Sequence, residues 1–328
     1  MPPPFQLTPA VLAALSRIDH GLGRLEGLSV AQPQPLLRKR NQVRSVQASA
    51  AIEGNSLSVD QVTAVLEGKR VLGRQRDVRE ILNVNEAYER LPDWRPSSRK
   101  SLLEAHRLLM DGLLPDAGRF RTSGVGVFRG KALAHLAPPA HLVSHHVEEL
   151  FRWLRRARAP LLVAGCVVHY ELLFIHPFLD GNGRIARLWQ QVVHHGYSPL
   201  LRFVPVESIV RDRQRQYYDA LRRSDRAGDC TRFLEFALTA LADAVAEFGR
   251  EVRPPAEPPE ARLNRAQVHF ERRWFSRGDY LKLHLKLSTA SASRDLAAGV
   301  ARGLLDTRGE KRFTEYRFER KSHGRAHT

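Results

Sequence analysis

Apolar side chains recur at helical spacing along most of this chain, which predicts a mainly α-helical protein. The stretch from Pro160 to Phe174 is apolar on nearly every face, as in a helix buried at the centre of a bundle. It is expected to end at Ile175 and His176, because the residue before a proline is pushed out of α geometry. A second helix is predicted from near Arg184 to about His195. Its apolar stripe consists of Ile185, Leu188, Trp189 and Val192.

Changes in composition along the chain predict its organisation. Residues 1 to about 95 are expected to form helices, one of them from Asp77 to Tyr88. Four prolines within the eight residues Arg253 to Glu260 exclude a regular helix and favour a stiff extended linker. We therefore expect the following segments: an N-terminal helical region 1–97, a helical core 98–248, a linker 249–261, a small domain 262–320 and a disordered tail 321–328.

The segment after the linker has its own pattern. It predicts three helices, two of them with a serine cap, followed by a strand, a tight turn and a second strand with alternating side chains. The helices are predicted at Leu263–Phe270, Ser276–Leu283 and Ser288–Arg302. The strands are predicted at 303–307 and Phe313–Phe318, and the turn at Arg308–Lys311. Three helices and a two-stranded wing resemble a winged helix-turn-helix domain.

The net charge of the chain favours some classes of binding partner over others. The 328 residues carry 52 Lys and Arg against 35 Asp and Glu, a formal net charge of +17, which favours nucleic acid or other anionic partners. From Glu251 onward, 17 basic and 10 acidic residues leave +7, so the other +10 lies on the first 250 residues. The charge is therefore not concentrated on the C-terminal domain, where Arg294, Lys311 and Arg312 are the candidates for phosphate contacts.

The sequence also predicts where the protein resides. No window of 18 apolar residues exists, so neither a transmembrane helix nor a membrane partner is expected. Residues 1–5 lack the basic and apolar regions of a signal peptide. The two cysteines, Cys166 and Cys230, indicate neither a disulfide framework nor a zinc site, and Cys166 is expected to pack as a small apolar group. A cytoplasmic location fits, and the frequent Arg and Ala favour a bacterial source.

The loop between the two central helices carries the candidate chemistry. From His176 to Arg187 it reads His-Pro-Phe-Leu-Asp-Gly-Asn-Gly-Arg-Ile-Ala-Arg. Its glycines leave room for a ligand against the backbone, and the following helix directs its positive dipole end at the same point. Arg184 and Arg187 share a face of that helix. Asp180 suits Mg²⁺ bound to nucleotide phosphates, and His176 suits a general base. This set indicates phosphoryl or nucleotidyl transfer without distinguishing between them.

The same residues resemble the motif of the Fic family, His-Pro-Phe-x-Asp-Gly-Asn-Gly-Arg-x-x-Arg, at every specified position. The resemblance implies a helical Fic (Fido) core that binds ATP with Mg²⁺. It also implies transfer of AMP to a Ser, Thr or Tyr hydroxyl of a target protein and of the enzyme itself. The implied roles are a base for His176, a metal ligand for Asp180, an anion hole for Gly181, Asn182 and Gly183, and clamps on the β- and γ-phosphates for Arg184 and Arg187.

A second motif lies upstream, at residues 45–55. Its alanines favour a helix, and Gly54 with Asn55 forms a natural stop. Ser49 and Glu53 are four apart and share a face, which by itself is ordinary for a solvated glutamate on a short helix. The pattern Ser-x-x-x-Glu-Gly resembles the inhibitory helix of the family. The resemblance implies that Glu53 pairs with Arg187 and competes with the γ-phosphate for its guanidinium.

Two further segments resemble parts of the family. Gly118 to Arg121, followed by a β-prone stretch at 125–130, is similar to its Gly-x-Phe/Tyr-Arg motif and flap hairpin, whose strand edge can align a target segment. The resemblance implies nucleotide contacts from Val127 and Phe128 of the flap. It also implies that Tyr218, in the segment after the core, packs on adenine. An ordinary hairpin and a half-buried tyrosine pair are the structural alternatives.

The C-terminal domain resembles the small winged-helix unit often attached to Fic proteins. It leaves open DNA as a partner, or protein contacts such as those of a homodimer. The leading prediction is a protein adenylyltransferase of the Fic type, autoinhibited by Glu53. The alternative is a DNA-binding regulator with a weak or different Fic activity, such as removal of AMP or transfer of UMP or phosphate.

Overall fold

The structure of the chain is a computed structural model. It describes residues 4–27, 34–129, 132–252, 257–285 and 287–319. Within these ranges, the side chains of 126–136 and of residue 312 are not described. The disordered tail predicted at 321–328 and the phosphate contact predicted for Arg312 therefore lie outside the described residues.

The chain divides into two compact units, Met1–Pro254 and Pro255–Thr328. The described part of the first unit is helical apart from one antiparallel hairpin, which confirms the predicted mainly α fold. Its helices are α1 (Pro9–Gly27), α2 (Pro35–Ile52), α3 (Val59–Leu66), α4 (Gln75–Glu89), α5 (Arg99–Leu109), α6 (Val143–Arg156), α7 (Leu161–Ile175), α8 (Asn182–His195), α9 (Val206–Asp212), α10 (Gln214–Ala227) and α11 (Thr231–Glu251). Its strands are β1 (Gly126–Arg129) and β2 (Ala132–Leu136).

Helix α7 lies at the centre of the first unit, since nearly every side chain along it is buried. Cys166 and Val167 pack into a hydrophobic core shared with α1 and α11. Ala164 and Val168 belong to a second core, shared with α2, α4, α5 and α8. Both sides of α7 are therefore anchored, which fixes the position of its C-terminal end. Cys166 is buried in the first of these cores, as predicted.

Helix α2 begins at Pro35, ten residues before the predicted start of the inhibitory segment at 45. Its Val43, Val46 and Ala50 are buried in the second core, and the helix packs against α4 and α9 and reaches α8. Burial along the whole helix therefore brings its C-terminal end, at Ile52, to the start of α8.

The second unit contains α12 (Pro259–Phe270), β3 (Phe275–Ser276), α13 (Arg277–Leu283), α14 (Thr289–Ala301), β4 (Leu305–Arg308) and β5 (Glu315–Phe318). The serine caps are confirmed, because the Ser276 and Ser288 side chains accept hydrogen bonds from the first turns of α13 and α14. The two predicted strands are present as the antiparallel pair β4 and β5, but a third strand that was not predicted joins them. The sheet has three antiparallel strands in the order β3-β5-β4. Two residues are too few for strand alternation to show, and β3 is instead fixed by Phe275, whose ring stacks on Phe270 at 4.3 Å.

Within the described ranges, every helix is too short or too polar to cross a membrane.

Close packing between α7 and α8 depends on Gly165. A methyl group at this position would meet the His194 ring and lie 3.3 Å from the Gln190 carbonyl oxygen. We expect Gly165→Ala to lower the free energy of unfolding by about 1–3 kcal/mol, because overpacking forces the two helices apart. The matched control is Gly249→Ala in α11, where nothing lies within 4 Å of the added carbon. Gly249→Ala should raise stability slightly, by about 0.5–1 kcal/mol. Urea unfolding of both variants measures the difference, and equal effects would contradict this account.

Candidate active site

His176 caps the C-terminal end of α7 in a left-handed conformation, with φ 49° and ψ 61°. The sequence predicted departure from α geometry before Pro177, and the left-handed backbone is such a departure. Arg121 holds this backbone in place. Its Nε donates to the His176 carbonyl oxygen at 2.7 Å, and its Nη2 donates to that of Ile175 at 3.2 Å. The backbone of the predicted base is therefore held by a buried arginine.

The Arg121 guanidinium also reaches the base of the hairpin. It donates to the carbonyl oxygens of Ser123 at 2.9 Å and Pro138 at 2.6 Å, which lie on either side of β1 and β2. Burial lowers the pKa of Arg121. One side chain thus joins the end of α7 to both arms of the hairpin, a role that the sequence motif alone did not reveal.

The motif loop is closed by the Asn182 side chain. Its Oδ1 accepts from the Phe178 N–H at 3.0 Å, and its Nδ2 donates to the Phe178 carbonyl oxygen at 2.8 Å. Gly181 has φ 82°, and this conformation starts α8 two residues before the predicted Arg184. The Asn182 amide therefore serves the loop itself. The group of Asn182 that remains for the predicted anion hole is its backbone N–H, at the N-terminus of α8.

His106 on α5 is a loop-holding residue that the sequence analysis missed. Its Nδ1 accepts from the Gly118 N–H at 2.9 Å, so its Nε2 carries the proton and donates to the Asp180 carbonyl oxygen, also at 2.9 Å. The ring stacks on Phe178 with centroids 3.6 Å apart. Burial lowers the pKa of His106 to about 4, which keeps the ring neutral. A single histidine on an amphipathic helix carries no signal of such a role.

Asp180, the predicted metal ligand, has a side chain that is 48% exposed. Its Oδ1 accepts from the Gly181 N–H at 2.6 Å and from Arg184 Nη2 at 3.2 Å. Among the described residues, no group of three or more His, Cys, Asp or Glu side chains is arranged to hold a metal. A lone carboxylate at a phosphate site is nevertheless the protein ligand that Mg²⁺ commonly uses with nucleotides. Asp180 therefore fits Mg²⁺ that arrives with a nucleotide.

Arg187 lies 3% exposed in α8 and is paired with the end of α2. Its Nη2 lies 2.8 Å from Glu53 Oε1 and donates to the Ser49 carbonyl oxygen at 2.9 Å. Its Nε lies 3.4 Å from Ser49 Oγ. Burial alone lowers the pKa of Arg187, but the charge of Glu53 raises it above its usual range. The structure thus brings Ser49, Glu53 and Arg187 together.

Glu53 also lies directly over the N-terminus of α8. A carbon atom added at Gly183 would collide with Glu53 Oε1 and lie 3.2 Å from Arg187 Nη1. Only glycine permits this approach, because any side chain at 183 would displace the carboxylate. Glu53 therefore occupies the end of the helix where the dipole and the backbone N–H groups favour an anion.

Arg184, the second predicted clamp, is paired as well. Its Nη1 donates to Glu80 Oε1 of α4, and Glu80 Oε2 accepts from Asn55 Nδ2 at 2.8 Å. Glu80 was not predicted from the sequence, because a glutamate inside an amphipathic helix usually faces solvent. Each of the two arginines therefore has a carboxylate from the N-terminal helices.

The structure describes the predicted adenine contact, Tyr218, more fully than the predicted flap residues. β1 pairs with β2, with a register shift between Val127 and Phe128, but the side chains of these two residues lie outside the described part. Tyr218 is half-buried, with its ring 5.0 Å from that of Tyr217. Tyr217 is the more deeply buried of the pair, and its hydroxyl lies 3.0 Å from His169 Nε2.

Comparison with known proteins agrees with this geometry. The model of the Fic/DOC family matches residues 96–193, which include α7, the loop and α8. A crystal structure of a Fic family protein from Desulfovibrio desulfuricans G20 is 37% identical, with a TM-score of 0.73 over 98% of this chain and 99% of that one. The chain belongs to the Fic family. Fic-1 of Caenorhabditis elegans, 23% identical with a TM-score of 0.57, shares the fold.

Curated members of the Fic family include named enzymes. "Protein adenylyltransferase Fic" of Culex quinquefasciatus is 28% identical over 238 residues, which are 69% of this chain and 43% of that protein. "Protein adenylyltransferase fic-1" of Caenorhabditis elegans is 30% identical over 202 residues, 57% of this chain and 37% of that protein. The chain thus spans about two fifths of the length of these relatives.

The neutral state of His106 predicts a pH dependence of stability. Burial lowers the pKa of His106 and His194 to about 4 and that of His169 to about 3. The unfolded chain then binds more protons than the folded chain below about pH 6.5, so stability falls as the pH falls from there toward 4. We expect His106→Gln to make this slope shallower by up to about 1.4 kcal/mol per pH unit.

Urea unfolding between pH 4.5 and 7.5 measures the slope. His20→Gln, a change of the same kind on the exposed face of α1, is the control and should keep the wild-type slope. An unchanged slope in His106→Gln would show that His106 is not held neutral in the folded protein.

Proposed function

We propose that this chain is a protein adenylyltransferase, which transfers AMP from ATP to a Ser, Thr or Tyr hydroxyl of a target protein and of itself. We further propose that Glu53 keeps it in a state of low activity. The observation that carries the proposal is the Glu53–Arg187 pair, 2.8 Å long, at the N-terminus of the helix that follows His176. An acidic side chain there occupies the place of an anionic substrate.

The proposed reaction is an in-line displacement at the α-phosphorus. His176 takes the proton of the target hydroxyl, whose oxygen forms a bond to that phosphorus. The bond between the α-phosphorus and the bridging oxygen toward the β-phosphate breaks, and pyrophosphate leaves. The N–H groups at the start of α8, from Asn182 and Gly183, stabilise the negative charge on the phosphate oxygens.

The side chains around the loop bind and orient the nucleotide in this scheme. Arg184 and Arg187 bind the β- and γ-phosphates, and Asp180 holds Mg²⁺, which neutralises phosphate charge when it is bound. The edge of the β1–β2 hairpin aligns a segment of the target protein by strand addition. Arg121 supports this arrangement, because it connects the hairpin base to the backbone of His176.

Autoinhibition follows from competition for one guanidinium. A carboxylate on Arg187 uses the donors that a γ-phosphate needs, so ATP in the presence of Glu53 lacks its full set of contacts. Removal of Glu53, or movement of the end of α2, exposes these donors. The position of Glu53 against Gly183 supports this account, because the carboxylate also covers the N-terminus of α8.

We expect Glu53→Gly to incorporate label from α-³²P-ATP with Mg²⁺, into itself or lysate proteins, at least roughly tenfold faster than wild type. Glu53→Gly/His176→Ala should incorporate none. The matched control is Glu67→Gly, since Glu67 caps the end of α3 with nearly the same backbone angles as Glu53 and is likewise followed by glycine. It should behave as wild type.

The alternative reactions of the same loop are tested with labelled UTP, with γ-³²P-ATP and with a target that already carries AMP. Label from UTP or from the γ-phosphate alone would replace AMP transfer with UMP or phosphate transfer. Loss of AMP from the modified target would indicate the reverse reaction. Equal labelling of wild type and Glu53→Gly would refute autoinhibition.

A second candidate function is DNA binding by the second unit. Its order of helices and strands is that of a winged helix, and Arg294 of α14 and Lys311 near the wing are exposed. Against it, Arg308 and Arg317 of the sheet pair with Glu315 and Asp306. A salt-sensitive, sequence-specific shift of DNA that survives His176→Ala would favour this function. A protein contact, such as that in a homodimer, would instead appear as a molecular mass that increases with protein concentration.

A further inference from the structure

A chain of buried polar side chains lies beside Arg187 and involves neither Glu53 nor α2. His169 of α7 has its Nδ1 2.5 Å from Gln190 Oε1 and its Nε2 3.0 Å from the Tyr217 hydroxyl. The Tyr217 hydroxyl, on α10, lies close to the Arg187 guanidinium, and both side chains line one small cavity with His169 and Gln190. All four side chains are at most 5% exposed. Polar groups at this depth require partners, and His169 is a partner of both Gln190 and Tyr217.

The hydrogen bonds in this chain have a fixed direction. Gln190 Oε1 can only accept, so His169 Nδ1 must carry the proton. Burial lowers the pKa of His169 to about 3, so the ring is neutral and its Nε2 accepts. The Tyr217 hydroxyl therefore donates to His169 and keeps its lone pairs. Because a guanidinium can only donate, those lone pairs match Arg187.

Arg187 thus has two sets of neighbours, and only one of them belongs to the inhibitory segment. Glu53 and Ser49 belong to α2 and are lost when the inhibitory segment moves. Tyr217 belongs to α10 and stays, since its ring packs among buried residues such as Phe233. A long side chain without a partner loses conformational freedom when it binds a ligand, and this loss weakens binding.

We propose that Tyr217, oriented by His169, is the positioning residue that holds Arg187 ready for the terminal phosphates of ATP once Glu53 has moved. This inference rests on the proposed function, because it assigns the phosphates to Arg187. It differs from the expected adenine contact, which the sequence assigned to the neighbouring Tyr218. Tyr217 acts through Arg187 and touches no reacting atom.

The test compares ATP with AMP, which lacks the phosphates that Arg187 would bind. In the Glu53→Gly protein, Tyr217→Phe removes one oxygen atom and leaves the ring. We expect the Kd for ATP, measured by titration calorimetry with Mg²⁺, to rise about tenfold, and the Kd for AMP to change less than about twofold. Tyr170→Phe, which removes another hydroxyl of the same core, bonded to Asp225 at 2.7 Å, is the control and should change neither constant.

His169 provides a second, independent pair of variants. His169→Gln keeps an acceptor for the Tyr217 hydroxyl, whereas His169→Leu removes it. In the Glu53→Gly protein, ATP binding should be closer to the parent in His169→Gln than in His169→Leu, at equal AMP binding. Thermal unfolding of each variant shows whether it is folded.

The outcomes separate this inference from the proposed function. If the Glu53→Gly protein neither binds ATP nor incorporates AMP, the proposed function fails. If it does both and Tyr217→Phe leaves the Kd for ATP unchanged, the positioning role alone is overturned. An equal rise in the Kd for ATP and the Kd for AMP in Tyr217→Phe would also overturn it, since that result indicates a general structural role.

Discussion

The burial of two guanidinium groups at the N-terminus of α8 is the constraint on which the rest of the site depends. Arg184 and Arg187 add positive charge where the helix dipole is already positive, and buried charges are unfavourable without partners. Glu80 and Glu53 supply that partner charge within the chain. The positive charge of the site is thus balanced by carboxylates of the chain itself, which under the proposed function stand in the place of phosphates.

The loop itself is held by contacts that do not depend on those carboxylates. Asn182 binds the backbone of Phe178, His106 binds the carbonyl oxygen of Asp180, and Arg121 binds that of His176. All three act on backbone atoms of the loop and involve neither Glu53 nor Glu80. Under the proposed function, a change of state therefore exchanges the partners of the arginines and leaves these loop contacts in place.

Local sequence patterns were enough to predict α7, the motif loop and the capped helices of the second unit, because helical spacing, loop glycines and capping serines are each recognised within a short segment. Contacts between distant positions leave none. Glu80 lies 104 positions from Arg184, and His106 lies 74 from Asp180. The pairing of Glu53 with Arg187, 134 positions apart, was predictable only through the resemblance to a family motif. The strand β3 was missed because two residues cannot show alternation.

If Glu53 inhibits as proposed, autoinhibition and stability are coupled through Arg187, because one guanidinium serves both. Removing one partner of a buried ion pair leaves the other charge uncompensated, at a cost of about 3–5 kcal/mol. The Ser49 carbonyl oxygen also binds this guanidinium, but it lies on the same helix as Glu53 and moves with it. A triphosphate that replaces Glu53 restores the missing negative charge. Under the proposed function, the phosphates therefore compete with Glu53 for this one guanidinium.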